Sequence, residues 1–380
     1  MILGFSGSAD QKRILDRRLI TRGSHEGKSA REIFTDQDFK RILNFEPANS
    51  GPWSDLPFTF EDVDKAVLPA AFNWRDLNGV TPIDIQPTGC GGCWIYASTA
   101  VFESLIKIKT GRTVDLSEEQ ISSCLPNGNH TGDAWQAFDY MMLHGVTTEE
   151  YIPCDDLFPT CYYPEFPDTF YLHDNWMVGM WDMPLAERVK TMKYAILNYG
   201  PVAAGFTVYA DWWNDYRSGV YVYDGHSAYG GGHSIAVVGW VDDDTIPNGG
   251  YWIIKNDLGT DWGEDGYFRM GYDQCEIDSS FWFASWDPNT LDPVFALKVG
   301  TRYFKTGDPI ELPVFARVPE GNTPSYQAIG LPAGASYDQT TGDFTWTPSS
   351  DQTGVYEVDF MAFYGNYTTT QTGRFVIVSR

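Results

Sequence analysis

The 380-residue sequence is short of positive charge. Lysine and arginine together number 26 against 51 aspartates and glutamates, a formal net charge of −25. Nucleic acid and anionic lipid both need clustered cations to neutralise phosphate, so this balance argues against either as a partner. No apolar run approaches the roughly twenty residues of a membrane-spanning helix. The opening "MILGFSGSADQKR" has too brief an apolar stretch and no basic lead, and does not read as a secretory signal. Cysteine is sparse. Cys90, Cys93, Cys124, Cys154, Cys161 and Cys275 lack the two matched Cys-x-x-Cys halves of a structural zinc site. If one of them is a catalytic thiol, an odd number remains, and these cannot all pair within the chain.

Aromatics, by contrast, are plentiful. The 14 Trp, 22 Tyr and 23 Phe predict cores and clefts rich in rings, many with a polar handle. Three textures follow one another. Residues 1–67 are mixed and charged, with one helical stretch, "GSHEGKSAREIFTDQDFKRIL", closed by the Pro- and Gly-bearing "NFEPANSGPWSDLPF".

From 68 to 287 helices come first. In "CWIYASTAVFESLIKIKTG", Trp94, Ala97, Val101, Leu105 and Ile108 share a stripe and Gly111 is placed as a stop. "LSEEQISSC" begins on a Ser117/Gln120 capping box. "TGDAWQAFDYMMLHG" and "MPLAERVKTMKYAILNYGP" read as two further helices. After Pro201 the signal turns to strands in "VAAGFTV", "SIAVVGWV", "GYWIIKN" and "GYFRMGY". A helical half and a β half in one unit imply an α+β domain with a cleft between two lobes. In residues 293–380 helical signals vanish. The alternation of Tyr356, Val358, Phe360 and Ala362 with Glu357 and Asp359 predicts an all-β, immunoglobulin-like sandwich.

The chemistry is concentrated in "QPTGCGGCWIYAS". Cys93 stands where the first helix begins, and a helix N-terminus favours the thiolate over the thiol. A nucleophile there needs a base oriented by a third group. Of six histidines, His233 alone lies at the mouth of an apolar strand, in "GGGHSIAVVGW". The next strand, "YWIIKN", ends on Asn256. Adjacent strands ending in polar residues on the cleft side would bring imidazole and carboxamide together.

On these residues the central region resembles the papain family of cysteine peptidases. "LPAAFNWRDLNGVTPIDIQ" is similar to the start of the mature enzyme, and "CGGCWIYA" to its nucleophile signature. "TGDAWQAFDY" resembles the stretch bordering the substrate groove, and "WIIKNDLGTDWGEDGYFRM" the motif around the orienting Asn. The likeness covers about 220 residues, more than half of the chain. It implies Cys93 as nucleophile, His233 as base and later acid, Asn256 as the orienting group, and Gln86 as oxyanion donor beside the Cys93 N–H. It also implies substrate contacts from Gly91, Gly92, Thr131, Gly132, Gly205, Gly232 and Trp262, with Gly231 beside them, in a roomy pocket without a specific charge. The substrates would be polypeptides, with no metal and no cofactor.

The sequence departs from the family in three places. Gln86 stands one residue farther from the nucleophile. The usual Asn-Ser-Trp-Gly reads "NDLG", with Leu258 in place of a shielding Trp. The usual partner of Cys90 is missing, Asn129 falling near its place; Cys90 is left unpaired or re-paired. The resemblance favours a Cys124–Cys161 disulfide, with Cys154 as alternative.

Residues 1–67 occupy the place of an inhibitory propeptide. The C-terminal stretch "LPAGASYDQTTGDFTWTPSSDQTGVYEVDF" is similar to cadherin-like, immunoglobulin-like modules, which implies a cell-surface or matrix partner and an extracellular or cell-surface setting. Two other classes stay open at this point: an inactive papain-like scaffold serving in binding or adhesion, and a peptide ligase or amidase using the same thioester.

Overall fold

In a computed structural model, residues 56–380 are described, apart from 88–91, 126–131, 155–160, 162–165, 167, 291 and 319–321. The N-terminal helix expected near residues 23–43 lies outside them. A short helix, α1 (Phe60–Lys65), leads in, capped by a reciprocal Thr59/Asp62 box. The long helix α2 (Cys93–Thr110) ends at Gly111, which takes a left-handed φ of 74° as the stop signal required. Then come α3 (Glu118–Cys124) and α4 (Ala134–Leu143). Ser117 caps α3 by accepting from the Gln120 N–H. The expected reciprocal half of that box does not form. The Gln120 carboxamide is spent on Thr147 N–H, Tyr140 and the Gly145 carbonyl, and the N–H of the buried Ser117 already donates to the Thr147 carbonyl.

The second lobe is an eight-stranded sheet. Its strands are β1 (Ala71–Asn73), β2 (Asp174–Gly179), β3 (Val202–Tyr209), β4 (Val220–Tyr221), β5 (Tyr229–Asp242), β6 (Gly250–Lys255), β7 (Tyr267–Gly271) and β8 (Ser280–Ser285). They run in the order β2-β8-β3-β5-β6-β7-β4, with β1 on β5. Helix α5 (Leu185–Tyr199) packs on this sheet, and α6 (Ala210–Asp215) follows β3 directly. Its core holds Trp212, Trp240, Trp252, Phe281 and Phe283, all fully buried.

The remaining strands, β9 (Val294–Phe295), β10 (Thr301–Lys305), β11 (Ile310–Pro313), β12 (Ala316–Arg317), β13 (Ser325–Ile329), β14 (Ser336–Tyr337), β15 (Asp343–Trp346), β16 (Gly354–Tyr364) and β17 (Tyr367–Val378), form the all-β region. A β10-β17-β16-β13 sheet faces a β11-β15-β14 sheet. Phe344 of one lies 5.0 Å from Phe375 and 5.5 Å from Phe360 of the other, ring centre to ring centre. The alternation read in β16 is realised, with Val358, Phe360 and Ala362 buried. This sandwich shares one apolar cluster with the helical lobe. Arg317 docks the two, donating to the Met142 and Leu143 carbonyls at the end of α4. A guanidinium there satisfies orphan acceptors and complements the helix dipole.

Candidate active site

Cys93 is the first residue of α2, with Gly92 as its extended N-cap. The sulfur thus meets the positive end of the helix dipole, which favours thiolate. From β5, the Ser234 N–H donates to Cys93 Sγ at 3.3 Å. The preceding residue, His233, is buried, and its imidazole stands beside the Cys93 thiol, close enough for each to act on the other's charge. His233 Nε2 lies 2.8 Å from Asn256 Oδ1. With that nitrogen taken, Nδ1 is the one left to face the sulfur. Antiparallel pairing of β5 and β6, with Ala236 opposite Lys255, sets His233 inside β5 beside Asn256 just past the end of β6. The three expected residues therefore meet in one cleft, Cys93 and Asn256 from element ends as expected, His233 from within β5 rather than from its mouth.

Burial alone would raise the Cys93 pKa. The imidazole and the Ser234 N–H outweigh it, and the thiol lies below its ordinary value. Burial likewise opposes charge on His233, but the Asp257 carboxylate and the Cys93 sulfur hold the imidazole well above its ordinary value. The pair is thus poised as thiolate and imidazolium. Asp257 is the member that sequence reasoning missed. It is 6% exposed, and its Oδ1 stands 3.3 Å from His233 Nε2. The available signal was the acid directly after Asn256 in "NDLG".

Gln86 is half-buried on the loop before the nucleophile. Its backbone N–H donates to the Asp257 carbonyl at 2.8 Å, and Ile85 bridges to Leu258. The Gln86 loop is therefore stitched to the Asn256 turn. Leu258 is only half-buried, and the aromatic cover of the imidazole comes from elsewhere. Phe206 and Trp212 lie with ring centres 5.7 and 5.8 Å from that of His233. Trp262 is half-buried and packs on Trp212 and Tyr216.

Gly205, paired with Ser234 across β3 and β5, borders a cavity of about 410 Å³ beside the site. Trp135, Trp181, Trp282, Phe206 and Met177 wall it. Gly231 and Gly232 leave open space where a β-carbon would project. The glycines alone suggested a pocket without charge, but Glu276 and Asp133 also line it. Gly132 serves packing, since a β-carbon there would sit 2.5 Å from the Trp94 ring. Gly91 and Thr131 lie outside the described residues, as does Cys90. Cys124 and Cys161 are joined, Cys154 is also disulfide-bonded, and Cys93 and Cys275 are free. Among the described residues no cluster of three or more His, Cys, Asp or Glu is placed to hold a metal ion.

Comparison with known proteins gives two family matches. The papain family cysteine protease model covers residues 68–284, and an Ig domain model covers 293–379. Fruit bromelain from Ananas comosus is 33% identical over 214 residues, which are 56% of this chain and 57% of that protein. Macrodontain-1 from Ananas macrodontes is 32% identical over 208 residues, 54% of this chain and 90% of that one. The chain thus spans little more than half the length of the bromelain. Among solved structures, proCathepsin B S9 from Trypanosoma congolense shares the fold with a TM-score of 0.51, at 21% identity over 60% of this chain and 81% of that one.

Proposed function

This chain belongs to the papain family of cysteine proteases, and on that premise we propose that it is an endopeptidase acting on polypeptides through a thioester on Cys93. The observation that carries the reading is the contact set around one imidazole: the Cys93 thiol on one side, Asn256 Oδ1 at 2.8 Å on the other. Cys93 Sγ, as thiolate, attacks the substrate carbonyl carbon. His233 then delivers its proton to the departing amine. The Gln86 carboxamide and the Cys93 N–H receive the negative oxygen of the tetrahedral intermediate. Water, deprotonated by His233, attacks the thioester and frees the acid.

The cavity beside Gly205 would take one substrate side chain. Its tryptophan walls and Glu276 suit a long apolar stem with a cationic end, as in lysine or arginine. The disulfides support work in an oxidising compartment outside the cytoplasm. Residues 1–67 serve as the propeptide-like segment, 68–287 as the peptidase and 293–380 as a module that engages a surface or matrix partner.

A thiol-directed epoxide should modify Cys93, as read by mass spectrometry, and abolish cleavage of an unfolded protein. Cys93→Ala should lose both labelling and cleavage. A wild-type protein that neither labels at Cys93 nor cleaves would falsify the reading.

A further inference from the structure

The imidazole of the site has two neighbours on the same nitrogen. Asn256 Oδ1 is a neutral acceptor at 2.8 Å, and Asp257 Oδ1 is an acidic oxygen at 3.3 Å. Both residues are almost wholly buried. Neither Asp257 oxygen has a well-aligned hydrogen-bond donor among the described residues. A carboxylate withdrawn from water and left without neutral donors is costly unless a cation compensates it. The obvious alternative cation, Lys255, is turned the other way. Its Nζ is 2.9 Å from Thr81 Oγ1 and 4.0 Å from Glu103. The His233 ring is what remains.

We propose that Asp257, standing where the family's motif has serine, is a positioning residue of this reaction: its carboxylate shares the Nε2–H of His233 with Asn256 and holds the ring as imidazolium beside the Cys93 thiolate. The inference rests on the peptidase reading above. The proton leaves Cys93 Sγ for His233 Nδ1, while the Nε2 proton stays on the ring and faces both acceptors.

The other titratable groups facing this pair leave Asp257 in that role. From α2 come the Cys93 thiol and the Tyr96 hydroxyl, and burial drives the latter's pKa upward, so it stays neutral. From the loop before α2 comes Asp84, raised by burial and also by the charge of Asp257 itself. From α3 comes Glu118, raised well above its ordinary value by burial. Glu103 of α2 is pushed up to about 7 by burial against the pull of Lys255. Phe206 and Trp212 cover the ring's remaining surface and carry no charge. These acids are inclined to hold protons, and Asp257 is the carboxylate in contact with the ring.

The consequence is a wider alkaline range of activity. A thiolate–imidazolium pair survives until the imidazolium loses its proton, so an anion beside the ring moves that loss to higher pH. The test is the pH profile of kcat/KM for wild type, Asp257→Asn and Asp257→Glu, with Tm measured on each. Asp257→Asn should move the alkaline limb down by about one pH unit or more, giving roughly tenfold less activity on that limb and little change on the acid limb. Asp257→Glu should restore part of the range.

A second measurement needs no change at Asp257. In Cys93→Ala, His233 followed by NMR should still titrate above the ordinary value of 6.5, because the carboxylate remains. Titration below that value, or an Asp257→Asn profile that overlays an active wild type, overturns the assignment to Asp257 alone. A wild type without labelling or cleavage overturns the peptidase reading instead.

Discussion

A β-carbon at Gly132 would sit 2.5 Å from the Trp94 ring, whereas one at Gly205 would meet nothing closer than 3.9 Å. Both were read as substrate-contacting glycines, and their surroundings make them behave differently. Gly132→Ala must displace a fully buried indole at the root of the nucleophile helix. It is expected to cost ~1–3 kcal/mol, visible as a lower Tm and altered tryptophan fluorescence. Gly205→Leu projects into the cavity instead. It should leave Tm nearly unchanged while cutting kcat/KM for peptides with a large side chain at that position by roughly tenfold or more. Cys93 and Asn256 were legible in sequence because each stands at the end of an element, where a side chain can reach the cleft; His233 was legible from the glycine run before it, although it lies inside β5. Asp257 was not. Within a strand, neighbouring residues face opposite sides, which would send Asn256 and Asp257 apart. But β6 ends at Lys255, so both can turn toward one imidazole.

The helices and central strands were legible from apolar spacing and stop signals, as α2 with Gly111 shows. Strands β2 and β8 were not singled out. They pair with each other across about a hundred residues of sequence, and mixed burial of "DNWMVG" and "SFWFAS" hides the alternation that marks a half-exposed strand. The segment around α1 was also unreadable, because its value lies in a distant partner. Phe58 is buried, with ring centres 5.0 Å from Tyr194 on α5 and 5.8 Å from Phe283 on β8. Phe58→Ala is therefore expected to destabilise the sheet lobe by ~3–5 kcal/mol in chemical denaturation. A loss below ~1 kcal/mol would show that this contact is dispensable.

For the molecule as a whole, buried acids and buried histidines pull the pH response in opposite directions. Burial pushes Glu103 and Glu149 each from 4.5 to about 7, and Glu118 well upward. Between those values the unfolded chain has released protons that the folded chain still holds. Unfolding is then coupled to proton release, and stability falls as pH rises from about 4.5 to about 7. The net charge of −25 adds self-repulsion in the same direction. Tm should accordingly be higher at pH 5 than at pH 8, and Glu103→Gln should flatten part of that slope. The difference is smaller than the acids alone would give, because His144 and His173, held neutral by burial, cost stability below 6.5. A Tm that climbs steadily from pH 5 to 8 would contradict this.

Arg317 is the feature of largest reach. Helix α4 has ten residues, about 15 Å of rigid rod. Its first residues, Ala134 and Trp135, wall the substrate cavity. Its last two carbonyls are gripped by the guanidinium of the β-sandwich. The helix therefore links the cavity wall at one end to the sandwich at the other. Arg317→Ala should break that link: limited proteolysis between residues 285 and 295 should speed up, and KM should shift with kcat little changed. Were the chain tethered through this sandwich, tension on it would then be felt at the cavity beside Cys93.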